Sequence, residues 1–558
     1  MKRPQISELT LEEKIGQLLM IAQYPLFVKV VDGVETPRTE EEIKEIMQKC
    51  QFGSIWGQGK LKMKNVNLAE EDADGKANAA EYKEFIKDLE KNVRIPMLVG
   101  MDCENGATLV DGGTSISGPL SIGAADDEKL TFDLAQSVAK EMRAAGGNWR
   151  WSPVVDIANR FCGVCSGRTF SDNAEMIVKH AVAAVKGTES AGVASTIKHF
   201  PGMDPYEMRD AHFTETMINI SYEEWKNTQA RTFQGVFDAG VDTVMVGHVA
   251  FPAVDDTMVN GRYLPATISE KIIKKLLREE MCFDGVVITD GIGMASLQTI
   301  CPFEEVLVRA INAGNDILLG VAPFAADVVK QAVLDGRIPM ERIDESAERV
   351  LKLKEKLGLF DDKEEEFDIY AQSEITRKID REIAEKSVTL VRERCKLIPV
   401  NKEDIKKVTI ICSSHYSGTI KELEAMKAEF QARGAKVDII EDLPENGSQV
   451  KILAQENDLL VYAAYIAPHR PMGMPSLYGS KMETFFNAFS HGKEKSIGVS
   501  LGYPYMHIDF MGNADVFFNL YAPNPEAMRA FVMAVYGEIE PTRKSPVDIE
   551  PKLRYVFG

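Results

Sequence analysis

Charged and imidazole side chains recur at the ends of apolar, β-branched segments in residues 1–320 of the chain. They are Asp102, Asp156, Lys198 with His199, His248 and Asp290. A positioned carboxylate can act as a nucleophile or a base, and a histidine can exchange protons near neutral pH. Because a buried charge without a partner is costly, their repeated placement at segment ends predicts one shared polar site.

A second arrangement lies in the long segment after His199, where Asp210-Ala211-His212 places a carboxylate two residues before an imidazole. Residues i and i+2 of an extended segment point to the same side. The carboxylate can then accept from one ring nitrogen and leave the other to exchange a proton. Arg168, in Gly167–Phe170, adds a cation to the segment after Asp156. We predict acid–base catalysis by the Asp210 and His212 pair.

The segments that must position these side chains alternate between apolar runs typical of strands and patterns typical of helices. Strands that are buried on both faces read as continuous apolar runs, as in parallel sheets. The predicted strands are Gly53–Trp56, Pro96–Asp102, Trp149–Asp156, Ala194–Phe200, Thr243–His248, Gly285–Asp290 and Asp316–Leu319, with Gln17–Gln23 as a further strand or a helix. Seven or eight such units predict an N-terminal (β/α)8 TIM-type barrel, whose active site lies at the carboxyl ends of its strands.

A second α/β pattern follows the charged segment Asp361–Asp368, which we interpret as a solvated linker. Ile379–Arg392 is predicted to be a helix. The strands predicted beyond it are Val408–Ser413, Lys436–Glu441, Asp458–Tyr465, Ser496–Leu501 and Ala514–Tyr521. This pattern indicates a smaller α/β sandwich with a parallel sheet. The predicted domains are therefore the barrel over 1–360, a linker and connecting helix over 361–390, and the sandwich over 391–558.

Composition excludes several classes of protein. The 558 residues are 45% apolar and 27% charged, as in globular proteins. With 65 basic and 85 acidic residues the net charge is −20, which disfavours a nucleic acid partner. No stretch approaches the roughly 18 uncharged apolar residues of a membrane span, and the N-terminus does not read as a signal peptide. We expect a cytoplasmic protein without a membrane partner, and nothing in the pattern predicts its oligomeric state.

The cysteines predict neither a disulfide scaffold nor a metal site. Eight cysteines are too few for a disulfide framework in a chain of 558 residues. Cys162 and Cys165 form one CxxC without the second pair that a zinc site needs. We interpret them as reduced thiols, and we expect neither a metal nor a cofactor.

Several longer motifs carry a resemblance that covers nearly the whole chain. They are LTLEEKIGQLL (Leu9–Leu19), NWRWSPVVDI (Asn148–Ile157), GRTF (Gly167–Phe170), KHFPG (Lys198–Gly202), VMVGH (Val244–His248) and FDGVVITDGIGM (Phe283–Met294), followed by Val499–Pro504 and Tyr521–Pro525. With these motifs the sequence resembles the family-3 glycoside hydrolases. KHFPG together with ITDGIGM is the most specific part of the match.

The resemblance also implies a subgroup and a role for each residue. The family's β-N-acetylglucosaminidases take their acid/base from an Asp-His pair on the loop after KHFPG, whereas its β-glucosidases use a glutamate of the second domain. By this resemblance Asp290 matches the nucleophile, His212 the acid/base, and Asp210 the residue that orients His212. The residues that match the sugar-holding positions are Asp102, Arg168, Lys198 and His199, and those that match further pocket-lining positions are His248 and Met294.

The implied activity is that of a retaining, exo-acting β-glycosidase that releases terminal β-N-acetylglucosamine through a covalent glycosyl ester on Asp290. Because His212 would be an uncharged base beside an anionic nucleophile, phosphate is also an admissible acceptor. A phosphorylase or transglycosylase is therefore an alternative. A β-glucosidase or β-xylosidase, with Glu483 as the candidate acid, is another. An inactive sugar-binding protein is disfavoured, because Asp290 and the Asp210 and His212 pair are all present.

Two departures from the subgroup pattern fall where the substrate is held. The subgroup reads DQEGGRV where this chain has Asp102-Cys103-Glu104-Asn105-Gly106-Ala107-Thr108, so one substrate-gripping arginine is missing. After KHFPG the subgroup reads HGDT, whereas this chain has Met203-Asp204-Pro205-Tyr206 and a loop one residue longer up to Asp210. Neither change touches the predicted catalytic residues. Both put the N-acetyl sugar and a muropeptide leaving group in question, and an altered substrate is a further alternative.

Overall fold

A computed structural model describes residues 2–59, 76–162, 165–361, 366–416, 419–443, 447–466 and 476–550. Half of the predicted linker Asp361–Asp368 is described, and residues 362–365 lie outside the described residues. Contacts group the chain into two compact units. The first comprises Met1–Thr114, Thr131–Asp156 and Ala181–Thr376, and the second comprises Ser115–Leu130, Ile157–His180 and Arg377–Gly558. The domain limits at 360 and 390 stay a prediction.

The first unit is built on a closed barrel of eight parallel strands, in which chain neighbours pair and the last strand pairs with the first. The TIM-type barrel predicted from the sequence is thus confirmed. Its strands are β1 (Leu19–Ala22), β2 (Ser54–Trp56), β3 (Leu98–Met101), β4 (Trp149–Arg150), β5 (Ala194–Phe200), β6 (Thr243–Val246), β7 (Val286–Gly291) and β8 (Ile317–Val321).

Helices alternate with these strands. The α-helices of residues 1–387 are Leu11–Gln17, Gln23–Phe27, Glu40–Cys50, Ala79–Glu90, Pro119–Ala125, Glu128–Ala144, Ala174–Ser190, Tyr222–Asn227, Gln229–Phe237, Ala295–Gln298, Phe303–Ala313, Ala325–Leu334, Met340–Lys356 and Ile369–Ser387. Ile6–Glu8 and Ala266–Ile268 are short 3₁₀ helices, and Lys271–Glu280 has the wider turns of a π-helix. The Ser269 hydroxyl accepts from the Ile272 N–H at 3.2 Å, so it caps the first turn of this segment.

Three short pairs of strands lie outside the barrel. Val28–Val31 with Val34–Pro37 and Met258–Val259 with Arg262–Tyr263 are antiparallel hairpins. Thr216–Met217 runs parallel to Val249–Ala250. The last pair ties the segment after the Asp210 and His212 pair to the segment that follows β6.

The barrel interior is filled by large side chains from alternating strand positions. Trp149 lies there without solvent exposure, and its Nε1–H is 2.7 Å from the Thr196 hydroxyl and 3.1 Å from the Thr243 hydroxyl. A Cβ at position 100 would lie 2.4 Å from the Trp151 ring, so only glycine fits against that ring. Trp149 on β4 and Trp151 just after it therefore fill part of the barrel core.

Strand β4 is shorter than the predicted Trp149–Asp156. The regular ladder ends at Arg150, and Pro153, which has no N–H to donate, lies in the continuation. Pairing resumes beyond the proline, where Val154 bridges to Lys198 and the Val155 N–H donates to the Lys198 carbonyl at 3.0 Å. Asp156 therefore still reaches the end of β5.

A buried charge cluster supports the amino end of β8. Asp316 has no solvent exposure, and it accepts from Arg278 at 2.6 Å, Arg342 at 2.9 Å, Arg349 at 3.2 Å and the Val287 N–H at 3.0 Å. Burial raises the pKa of Asp316, and the three guanidinium groups outweigh that effect and lower it. The ionised carboxylate thus joins the helices that carry the arginines to β7 and β8.

We expect Asp316→Asn to lower the free energy of unfolding by about 3–5 kcal/mol, because three guanidinium groups lose their counter-charge. Thermal and urea unfolding of the two proteins measure the difference. Asp335→Asn is the matched control, since Asp335 is 3.9 Å from Arg337 at the surface and its loss should cost under about 0.5 kcal/mol. Equal unfolding midpoints for wild type and Asp316→Asn would contradict the structural role.

The second unit contains a six-stranded sheet in the order β9-β14-β13-β12-β10-β11. Its strands are β9 (Thr389–Glu393), β10 (Lys407–Ser414), β11 (Lys436–Glu441), β12 (Leu459–Tyr465), β13 (Ser496–Ser500) and β14 (Val516–Asn519). The α-helices after residue 400 are Thr419–Ala432, Gly447–Glu456, Ser480–Asn487, Met506–Asp509 and Pro525–Val535, and Lys493–Lys495 is a 3₁₀ helix. Buried apolar clusters lie on both faces of the sheet, as expected for an α/β sandwich.

One prediction for this unit is wrong. Ile379–Arg392 was predicted to be a helix, but the helix ends at Ser387 and Thr389–Glu393 forms the edge strand β9, antiparallel to β14. The β-branched run Val388-Thr389-Leu390-Val391 explains the change, because such residues favour strands. The other five strands are parallel, as predicted. No helix among the described residues is long and apolar enough to cross a membrane, and the cytoplasmic location stays a prediction.

Candidate active site

One cation sits between two carboxylates at the carboxyl ends of β3 and β5. Lys198 is 2% exposed, and its Nζ lies 2.6 Å from Glu104 Oε1 and 3.2 Å from Asp102 Oδ1. The Asp102 side chain remains 45% exposed, so it keeps an oxygen that can accept from a substrate hydroxyl. Glu104 was not among the predicted site residues. Its place two residues after Asp102 was the available signal.

A buried arginine holds the segment between these two carboxylates. Arg150 donates from Nε and Nη2 to the Cys103 carbonyl, at 3.0 and 2.8 Å. Its side chain is buried and cannot reach a substrate from there. Arg150 therefore positions the backbone from which Asp102 and Glu104 extend.

A buried carboxylate, Asp156, holds His199, which follows Lys198 on β5. His199 Nδ1 lies 2.8 Å from Asp156 Oδ2, and the His199 backbone N–H donates to the same oxygen at 3.3 Å. A Cβ at position 247 would lie 3.1 Å from the His199 Cβ, so the glycine there lets the ring pack closely against β6. Asp156 was recognised in the sequence as one of the strand-end carboxylates of the predicted polar site, but it was given no catalytic or binding role.

The structure brings the predicted acid/base pair together. His212 Nδ1 lies 2.6 Å from Asp210 Oδ1, and the same oxygen accepts the His212 backbone N–H at 2.9 Å. The Asp210 side chain is 8% exposed and the His212 side chain 54%. The carboxylate is thus shielded, while the ring that it orients is open to a ligand.

Two further buried carboxylates brace the loop that carries this pair. Asp204 accepts from the N–H groups of Tyr206 at 2.7 Å and Asn219 at 2.6 Å. Glu207 accepts from the Arg209 side chain at 2.6 and 2.9 Å and from the Met217 N–H at 3.0 Å. Asp204 belongs to the part of the loop that departs from the subgroup pattern. The altered residues therefore serve to hold the loop in shape.

The same loop is hydrogen-bonded to the segment that follows β7. The Ala295 N–H donates to the His212 carbonyl at 3.3 Å, and the Ser296 N–H donates to the Ala211 carbonyl at 3.4 Å. These bonds join the loop to the chain five and six residues beyond Asp290. The exposed imidazole is thereby held beside the strand end that carries the predicted nucleophile.

Asp290 lies at the end of β7, where its Oδ1 accepts the Gly291 N–H at 2.7 Å. Burial by itself raises the pKa of the Asp290 carboxyl. The charge that His199 and His248 carry when protonated, with the Gly291 N–H, acts more strongly and lowers the pKa to about 2. Because a carboxyl group is ionised above its pKa, Asp290 is an anion throughout the neutral range and is ready to act as a nucleophile.

His248 supports the backbone next to Asp290. It is 2% exposed, its Nε2–H donates to the Gly291 carbonyl at 2.9 Å, and its Nδ1 lies 2.6 Å from the Thr267 hydroxyl, which donates to the Gly247 carbonyl at 3.1 Å. Burial is the main cause that lowers the pKa of His248, which favours the neutral ring. Met294 packs nearby, since a Cβ on Gly291 would lie 3.7 Å from its Sδ.

Eight of the nine predicted site residues thus belong to the first unit. The ninth, Arg168, belongs to the second unit, where its side chain is 8% exposed. Glu483, the candidate acid of the β-glucosidase alternative, lies on the helix Ser480–Asn487 of the second unit. The first unit by itself therefore supplies a carboxylate anion, an oriented imidazole and further polar groups at the strand ends.

Known proteins share both the sequence and this architecture. The chain is 27% identical over 495 residues to a β-N-acetylglucosaminidase/β-glucosidase of Cellulomonas fimi, which covers 84% of this chain and 86% of that protein. A solved glycoside hydrolase family 3 β-N-acetylglucosaminidase from Paenibacillus superposes with a TM-score of 0.80 at 26% identity, over 97% of this chain and 99% of the other. The β-glucoside phosphorylase BglX shares the fold, with a TM-score of 0.82 at 24% identity, over 98% and 95%.

The family match extends over most of the barrel unit. The description "Glycosyl hydrolase family 3 N terminal domain" matches residues 10–353. This range contains the strand ends that carry Asp102, Lys198 and Asp290, and the loop with Asp210 and His212. The chain therefore belongs to glycoside hydrolase family 3 and is a glycosidase.

Proposed function

We propose that this protein is a retaining, exo-acting β-glycosidase that releases terminal β-N-acetylglucosamine. The observation that carries the proposal is the pairing of His212 with Asp210 on a loop bonded to the segment after Asp290. A retaining glycosidase needs a carboxylate on one side of the anomeric carbon and a proton donor for the leaving oxygen. Asp290 and His212 supply these two groups within one unit.

In the first step the Asp290 carboxylate attacks the anomeric carbon. The bond from that carbon to the leaving oxygen breaks, and protonated His212 gives its Nε2 proton to that oxygen. Asp210 accepts from Nδ1, so it fixes the ring and stabilises the imidazolium. The products are the free alcohol and a glycosyl ester on Asp290.

In the second step water attacks the anomeric carbon of the glycosyl ester. Neutral His212 takes a proton from this water through Nε2, and the ester bond to Asp290 breaks. The sugar leaves with its original configuration, and both catalytic groups return to their starting states. The exposed position of the His212 ring is consistent with access for the leaving alcohol and for water.

The remaining residues hold the sugar or hold the catalytic groups. Asp102 and Lys198 present an exposed carboxylate oxygen and a buried ammonium 3.2 Å apart at the ends of β3 and β5, which suits the vicinal hydroxyls of a pyranose. His199 adds an imidazole beside them. His248, with both ring nitrogens engaged, acts on the Gly291 backbone and through it on Asp290.

The choice of sugar rests on the relatives. The Cellulomonas fimi protein is named for both β-N-acetylglucosaminidase and β-glucosidase activity, and a Hydrogenovibrio crunogenus relative, 32% identical over 37% of this chain, is named a β-hexosaminidase. The Paenibacillus structure is also of a β-N-acetylglucosaminidase. We therefore place β-N-acetylglucosaminides first and β-glucosides second.

Phosphorolysis is a second candidate activity. It is favoured by the uncharged base, because a phosphate dianion that approaches His212 Nε2 meets a neutral ring in place of a carboxylate base, and by the fold shared with a β-glucoside phosphorylase. The reaction replaces water by phosphate in the second step. Its product is a sugar 1-phosphate instead of a free sugar.

One assay distinguishes these activities. Nitrophenyl β-glycosides of N-acetylglucosamine, glucose and xylose are incubated with the protein, with and without phosphate, and the released sugar is identified. We expect the highest kcat/KM for the N-acetylglucosaminide, with the free sugar as product. A sugar 1-phosphate that forms in proportion to added phosphate would assign the protein to the phosphorylases. Highest turnover of the glucoside or xyloside would contradict the proposed sugar.

A further inference from the structure

The proposed mechanism gives no role to Asp156, the buried carboxylate that is hydrogen-bonded to His199. Asp156 has no solvent exposure, and its Oδ2 accepts both from the His199 ring at 2.8 Å and from the His199 backbone N–H at 3.3 Å. Its Oδ1 is buried and has no hydrogen-bond partner in the described part of the chain. His199 therefore provides all the polar contacts that the structure shows for this carboxylate.

This pattern sets the protonation of one ring nitrogen. An ionised carboxylate has only acceptor oxygens, so the contact at 2.8 Å requires a hydrogen on His199 Nδ1. With Nδ1 engaged, Nε2 is the nitrogen left for another partner, and no described residue forms a hydrogen bond with it. The His199 side chain is 10% exposed, which is enough for a ligand to touch one edge of the ring.

The position of the ring indicates what it touches. His199 follows Lys198 at the end of β5, and its charge when protonated acts on both Asp290 and His248. The ring of His199 therefore lies near the proposed nucleophile. A sugar hydroxyl can donate or accept a hydrogen bond, so it can pair with Nε2 whether or not that nitrogen carries a hydrogen.

We infer that Asp156 is a positioning residue, which acts through His199 to present Nε2 to a hydroxyl of the bound sugar. The inference rests on the proposed sugar-holding role of His199. Two hydrogen bonds to Asp156 Oδ2 link both the backbone and the ring of His199 to a carboxylate that is fully buried. Outer residues of this kind typically change affinity or activity by about 10–100-fold when they are replaced.

The first test reads the ring directly and needs no turnover. In protein labelled with ¹⁵N-histidine, the signals of His199 are identified by their loss in His199→Ala. We expect Nδ1 of His199 to carry hydrogen in the wild-type protein across the neutral range, and Asp156→Asn to shift the signals of both ring nitrogens. A wild-type His199 ring with hydrogen on Nε2 alone would overturn the inference, even if Asp156→Asn did not fold.

The second test is a double-mutant cycle in kcat/KM for the best glycoside. We expect Asp156→Asn to lower kcat/KM by about 10–100-fold in the wild-type background and by less than about 2-fold in His199→Ala. An equal loss in both backgrounds would mean that Asp156 acts on the fold and not through His199, and would overturn the inference. If no glycoside is turned over at all, the proposed function fails, whereas the ring signals still decide the link between Asp156 and His199.

Asp255→Asn is the matched control for both tests. Asp255 is a buried carboxylate of the same unit, 2% exposed, which accepts from the Ser269 hydroxyl at 2.5 Å and the Thr257 N–H at 3.1 Å. Its replacement should lower the thermal stability without shifting the His199 ring signals. Asp255→Asn should change kcat/KM by the same factor in the wild-type and His199→Ala backgrounds, whereas the effect of Asp156→Asn should depend on His199.

Discussion

Asp290→Asn is expected to reduce kcat by about 10⁴-fold or more while the protein remains folded. The amide has nearly the size of the carboxylate but is a poor nucleophile, so the glycosyl ester cannot form at a useful rate. The ionised state needed for attack is secured in the wild type, because the pKa of Asp290 is lowered to about 2. Steady-state kinetics and thermal unfolding of both proteins measure the effect.

Asp284→Asn, an exposed carboxylate just before the other end of β7, is the control and should leave kcat unchanged. A fluorinated glycosyl fluoride, which forms the ester but hydrolyses it slowly, should label a peptide that contains Asp290. A folded Asp290→Asn protein with near-normal turnover would remove Asp290 from the mechanism. Label on a different peptide would identify the nucleophile that replaces it.

His212→Ala is expected to lower kcat/KM by about 10²–10⁴-fold for glycosides with poor leaving groups. Activated aryl glycosides depart with little protonation, so their first step should be affected much less. The dependence of log kcat/KM on the pKa of the leaving group should therefore become steeper in the variant. Asp210→Asn should also make this dependence steeper, since the His212 ring loses the carboxylate charge that orients the ring and supports the imidazolium.

The exposed His491 of the second unit offers a control, and His491→Ala should leave the slope as in the wild type. A slope that is unchanged by His212→Ala would show that the proton comes from elsewhere. Glu483 would then be the next residue to replace, and the protein would move toward the β-glucosidase alternative. The comparison of slopes thus tests both the residue and the subgroup.

Local sequence patterns were sufficient for the barrel and for the strand-end residues. Continuous apolar runs place six strands within two residues of their observed bounds, β4 begins where predicted but ends earlier, and the remaining strand, β1, lies inside Gln17–Gln23. Because the strands of such a barrel are parallel, their carboxyl ends meet at one face, and residues far apart in sequence gather there. The link between Asp210 and His212 was also local, since the two residues are only two positions apart.

Local sequence patterns were less decisive where helix and strand signals overlap. Helical spacing continued through residues 379–392, but the run of β-branched residues after Ser387 pairs with β14 to form β9. The partner strand that stabilises this pairing lies more than 120 residues away, so no short segment of the sequence contains both strands. The end of β4 has a local cause instead, because the ladder ends before Pro153, which has no N–H to donate, although the apolar pattern continues.

The sequence by itself determined which residue types stand at the strand ends and that a carboxylate precedes an imidazole on the loop after β5. Only the tertiary structure decided which polar groups pair. Asp156 holds His199 across 43 residues, and Lys198 lies between Asp102 and Glu104 from another strand. Each pair forms because its polar atoms come within about 3 Å of each other in a buried environment. Such quantities depend on how separate strands are registered and packed, which local spacing does not encode.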